Sequence, residues 1–64
     1  MKYKIDVWQY GFLRESYESD NIEDVVNWYK ENWCYAYQYG LCAIEIYEDG
    51  ETYPFNKALE LGFY

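Results

Sequence analysis

The side chains able to do chemistry in this chain are carboxylates, phenols, indoles and two thiols, and that selection is narrow. Cys34 and Cys42 stand in a sequence without histidine, so neither thiol has an imidazole to activate it as a nucleophile. Two thiols also fall short of the four Cys or His ligands that a structural zinc site takes. There is no G-x-S-x-G elbow and no glycine-rich phosphate loop. A pair of carboxylates could hydrolyse a glycoside, but that reaction needs a deep cleft, which so short a chain seldom encloses. No catalytic residue, metal ligand or cofactor is therefore expected. What the residues do suit is binding, because tryptophan and tyrosine ringed by charge are the usual composition of a protein-binding hot spot.

Charge gives the sign of the partner. Twelve Asp and Glu against five Lys and Arg leave a formal net charge of −7, which repels phosphate and anionic lipid. Direct contact with nucleic acid or a membrane is not expected. A basic surface on another protein is, such as the groove of a nucleic-acid-binding protein, and the charge would speed that encounter. Two acidic groups are local in sequence. Glu48, Asp49 and Glu51 surround a turn and lack the fixed twelve-residue ligand pattern of a calcium loop, so they read as solvated charge. Glu15, Glu18, Asp20, Glu23 and Asp24 surround a helix start and favour its positive end. Whether the two groups together form a spaced row imitating phosphates is a question of three-dimensional spacing.

The elements that must position these groups follow from periodicity. Residues 3 to 10 alternate, with Tyr3, Ile5 and Val7 on one face and Lys4, Asp6, Trp8 and Tyr10 on the other. Gly11 marks a turn. Phe12 to Ser19 reads as a second strand with poorer alternation, because Glu15 falls between Leu13 and Tyr17, and is expected at a sheet edge. Asp20 and Glu23 have capping-box spacing, and Ile22, Val25, Val26, Tyr29, Trp33, Ala36 and Tyr37 form one apolar stripe. The stripe predicts a helix from near residue 21 to Tyr39, with Gly40 at its left-handed end. The alternative is a helix that stops near Asn32, with an aromatic hairpin over residues 33 to 43 setting the cysteines opposite each other. Leu41 to Glu48 alternates again, with Cys42, Ile44 and Ile46 opposed to Ala43, Glu45 and Tyr47, and Asp49-Gly50 signals a type I′ turn. Glu51 to Phe55 follows as a strand that Pro54 confines to the other edge. Asn56 then caps a short helix, Lys57 to Leu61, ended by Gly62, which folds Leu59, Leu61 or Phe63 over the core.

The fold class predicted is α+β: β-β-α-β-β, a four-stranded antiparallel sheet of order 2-1-3-4, with one helix on one face and a short C-terminal helix. The uncovered face would carry Asp6, Trp8 and Tyr10 from the first strand and Glu45 and Tyr47 from the third. With Glu48, Asp49 and Glu51 these are the candidate protein-binding residues. Two arrangements compete with this one: the C-terminal segment could cover Trp8, or the faces could be swapped so that the aromatics pack under the helix. Three functions compete as well. The first is a stoichiometric inhibitor or adaptor that docks on a basic protein. The second is a homodimer or larger homo-oligomer built through the open faces. The third is a sheet that stacks single-stranded bases, which the charge opposes.

Residues 1–64 read as a single domain without a linker, its small core supplied by ten Tyr, three Trp and three Phe. No apolar run approaches the roughly 20 residues of a membrane span, and Met1-Lys2-Tyr3-Lys4 leads straight into strand-like sequence. A cytoplasmic protein is expected, and in a reducing compartment its two cysteines behave as small apolar residues.

The segment from Asp20 to Lys30, a cap with its helix, and the hairpin from Ala43 to Glu51 carry a resemblance of layout. The arrangement resembles small acidic phage-encoded proteins that inhibit host machinery, including some anti-CRISPR proteins. The resemblance implies that a host or CRISPR effector protein is bound and blocked, sometimes at its nucleic-acid groove; no individual residue is carried over from it.

Overall fold

The computed structural model describes residues 2–64. Its strands are β1 (Tyr3–Gln9), β2 (Phe12–Ser19), β3 (Ala43–Glu48) and β4 (Glu51–Thr52), and its helices are α1 (Ile22–Trp33) and α2 (Phe55–Leu61). All neighbours in the sheet are antiparallel, in the order β2-β1-β3-β4. The alternation of β1 has a plain physical result: Ile5 and Val7 are fully buried on the face where Ile44 and Ile46 lie opposite them across β3. Val25, Val26 and Tyr29 of α1 and Ala58 and Phe63 of the C-terminal segment complete that core. Both helical segments thus pack on the same side of the sheet.

Two tight turns hold the register. Tyr10 and Gly11 both have positive φ, as do Asp49 and Gly50, which is the backbone a two-residue type I′ hairpin requires. Between Val7 and Trp8 the pairing shifts: Val7 faces Glu15 whereas Trp8 faces Leu13, leaving Arg14 as a β-bulge. The bulge accounts for the poor alternation of β2, since Leu13 and Glu15 lie on different faces although they are two residues apart.

The long helix to Tyr39 is not formed, and neither is the alternative hairpin. α1 ends at Trp33, Cys34 and Tyr35 both take left-handed backbone, and a 3-10 turn, Ala36–Tyr39, follows. The stripe misled because Ala36 still reaches the core after the chain breaks, and the Tyr37 N–H donates to the Tyr29 hydroxyl at 3.1 Å. The capping box is also replaced. Asn21 is the N-cap and accepts from the Glu23 N–H at 3.0 Å, while Asp20 accepts from the Lys2 N–H and Ser19 donates to Asp24. β4 is shorter than expected because Pro54 is the N-cap of α2, which places Asn56 inside the helix rather than at its start. Of the residues expected to fold back, Phe63 does so completely, and Leu59 stays 50 % exposed.

Candidate functional site

The face of the sheet away from both helices is built in rows. Residues directly opposite in antiparallel strands share a face, so register gives each row from the edge inward. Glu18, Lys4 and Tyr47 form one row, Ser16, Asp6 and Glu45 the next, and Leu13, Trp8 and Ala43 the last. Asp6 is only 8 % exposed, although it sits on the uncovered side. It accepts from the Ser16 hydroxyl at 2.7 Å and lies 3.5 Å from the Lys4 ammonium, partners that offset the cost of burying a carboxylate. Beside it, Glu45 is exposed and accepts the Tyr47 hydroxyl hydrogen bond. That bond holds the phenol proton and raises the Tyr47 pKa to about 12. The Asp6 and Glu45 carboxylates face each other across β1 and β3, a like-charge arrangement that a cation would relieve.

Trp8 is half-buried, and its indole nitrogen is buried without a hydrogen-bond partner among the described residues, so the part of the ring open to contact is carbon. Around it the surface turns apolar. Phe12 and Leu13 at the start of β2 and Tyr39 and Leu41 before β3 are all exposed, and the Gln9 side chain ties the two segments together by donating to the Leu41 carbonyl at 2.8 Å. A shallow concavity of about 420 Å³ lies between the β1–β2 turn and Gly40–Ala43. At the other end of the sheet a second, mixed-charge depression of about 430 Å³ is lined by Lys2, Lys4, Asp6, Glu18, Tyr47 and Gly50.

The predicted residues therefore divide. Asp6, Glu45 and Tyr47 come together on the open face, and Trp8 adjoins them. Tyr10 does not lie in the row: β1 ends at Gln9, and Tyr10 stands 88 % exposed at the hairpin tip. Glu48, Asp49 and Glu51 collect at the opposite end. There Glu48 lies 3.7 Å from the Lys2 ammonium and faces Glu51 across β3 and β4, and the Asp49 N–H donates to the Lys2 carbonyl. Asp20, Glu23 and Asp24 reach that same end because β2 returns to it and α1 starts there. The molecule thus has an acidic pole, an aromatic pole and a mixed row between them.

Residue-by-residue reading had not singled out Phe12, Leu13, Tyr39 and Leu41. A signal was present in the adjacent Phe12-Leu13 pair, since no alternating strand can bury two consecutive apolar residues on one face. Among the described residues no group of three or more Cys, Asp or Glu is placed to hold a metal ion, and no helix is long and apolar enough to cross a membrane. Compared with protein-family models, with curated proteins and with solved structures, the chain matches none of them.

Proposed function

We propose that this protein is a non-catalytic, stoichiometric inhibitor that docks its acidic, aromatic-bearing open face onto a basic site of another protein and occludes it. The observation that carries the proposal is the placement of both helical segments on one side of the sheet, which leaves Glu45 exposed and Trp8 and Tyr47 half-exposed on the other side, beside the nearly buried Asp6. Carbon surface from Trp8 and the neighbouring Leu13 would supply affinity, and the carboxylates would supply orientation and rate. The resemblance to phage-encoded inhibitors extends the proposal to a host or CRISPR effector as the target, with the carboxylates standing where nucleic-acid phosphates would bind. A homodimer through the same face is the weaker reading, because Asp6, Glu18 and Glu45 would meet their own copies and outnumber the neighbouring Lys2 and Lys4.

The test uses the immobilised chain to capture partners from lysate of the native host, with Glu45→Lys and Trp8→Glu variants in parallel. The expected result is a basic protein, retained by the native chain, lost with both variants, and prevented from binding nucleic acid at a one-to-one ratio. Its association rate should fall steeply as salt rises. Capture that survives both substitutions, or an association rate indifferent to salt, would refute the assignment of this face.

A further inference from the structure

The two edges of the sheet are protected very unequally. On one side β4 has two residues, and Pro54 and α2 follow at once, so little backbone is left to pair. On the other side β2 runs for eight residues, Phe12–Ser19, without proline or glycine and largely exposed. Among the described residues no strand pairs with its outer edge, since β2 is the end strand of the order β2-β1-β3-β4. Alternate backbone N–H and C=O groups of such a strand face solvent and form a template for another extended chain. The bulge at Arg14 interrupts the template at one end, while Glu15–Ser19 stays in unbroken register with β1, from Val7 back to Tyr3.

The side chains along that regular stretch state what would fit. Glu15 lies opposite Val7, on the helix side of the sheet, and Glu18 lies opposite Lys4, on the open side. Both are exposed, and among the described residues neither takes part in a salt bridge. Tyr17, between them on the helix side, is stacked against Trp28 at 5.2 Å with the rings nearly parallel, which makes a flat apolar step at the edge. A second copy of the chain is a poor occupant, because pairing β2 with itself brings together two molecules of net charge −7.

We infer that the free edge of β2 receives an extended basic segment of the partner protein as a fifth, antiparallel strand, with cationic residues three positions apart opposite Glu18 and Glu15. The spacing follows from geometry. The two glutamates are three residues apart and lie on opposite faces, so the cations that meet them must also be three apart, and a pair two apart can satisfy only one. A residue opposite Tyr17 rests on the Tyr17–Trp28 step and is apolar or aromatic. The inference takes the sign of the partner's charge from the proposed function, but it needs nothing from the open face.

The experiment uses the full isotope-labelled chain and synthetic extended Thr/Val-rich peptides, titrated to millimolar concentration. One peptide carries arginines at i and i+3, an isomer of the same composition carries them at i and i+2, and a third has the first pattern with alternate backbone amides N-methylated. The first is expected to bind about two- to fivefold more tightly than the isomer, the loss of one cross-strand charge pair. At saturation it should slow hydrogen exchange of alternate amides within Glu15–Ser19 at least about tenfold. N-methylation on the pairing edge should abolish both effects. A Glu15→Lys/Glu18→Lys chain should prefer glutamates at i and i+3. Basic peptides that perturb Trp8 and Tyr47 without protecting β2 would overturn the edge inference and leave the open-face proposal standing. Failure of every basic peptide to bind either surface would overturn both. Protection of β2 that appears without peptide and grows with protein concentration would assign the edge to a second copy, again against the inference.

Discussion

Replacing Phe63 by alanine tests whether the last residues of the chain are part of the core or an ornament on it. Phe63 is fully buried, its ring centroid lies 6.0 Å from that of Tyr29, and its N–H closes the end of α2 by donating to the Ala58 carbonyl at 3.1 Å. Truncating a buried phenylalanine costs about 3–5 kcal/mol through lost transfer energy and the cavity left behind. A chain of 64 residues has a total stability of roughly 3–10 kcal/mol at ~0.05–0.15 kcal/mol per residue. The substitution therefore removes about three-tenths of the stability at the least. At about 4–8 °C per kcal/mol for a domain of this size, the melting temperature should drop by roughly 12–40 °C, or the cooperative transition should vanish. The control is Leu59→Ala on the same short helix, where the side chain is half exposed and the change should stay within about 0.5 kcal/mol. Thermal and urea unfolding followed by circular dichroism would measure both. If Phe63→Ala melted within a few degrees of Leu59→Ala, the C-terminal segment would not be core, and the claim that both helical segments cover one face would fail with it.

Two further outcomes follow from particular contacts. Burial raises the Tyr29 pKa above its ordinary 10.0 and the Cys42 thiol above its ordinary 9.0. The folded state thus holds both protons more tightly than the unfolded chain does, and their contribution is complete below pH 9 and lost as pH rises through the raised values. Urea midpoints should accordingly decline above about pH 9. A Tyr29→Phe variant should decline less steeply there, and an equal decline would show that Tyr29 does not carry the effect. At the start of α1, Asn21→Ala removes the acceptor of the Glu23 N–H and should cost about 1 kcal/mol at neutral pH, whereas Asp20→Ala should cost less. The reverse order in urea unfolding would restore Asp20 as the cap.

Much of the architecture was legible because it rests on local periodicity. Alternation in Tyr3–Gln9 and Ala43–Glu48 fixes which side chains share a face, whatever the rest of the chain does. Asp49-Gly50 can supply the positive φ of a tight hairpin, and Pro54 cannot donate to a ladder, so the turn and the weak edge were both predictable. With one amphipathic helix between two hairpins, the order 2-1-3-4 puts the better strands in the middle.

The rest depended on contacts between residues distant in sequence. The end of α1 is set by the seating of Ala36 and the Tyr37-to-Tyr29 hydrogen bond, which a helical stripe cannot distinguish from one more turn. The separation of the binding candidates has the same origin. Asp6, Trp8, Glu45 and Tyr47 share a face through strand register, but Tyr10 is carried away by the turn, and Glu48, Asp49 and Glu51 are carried to the far end. The apolar pole exists because the β1–β2 turn and the approach to β3 meet at one end of the sheet. Sequence by itself determined the strands, the helix start, the edges and the sign of the charge, because each is encoded in neighbouring residues. Only tertiary structure decided which aromatics are core, which remain in water and where the carboxylates gather, because side chains that compete for one small interior are sorted by packing against partners far along the chain.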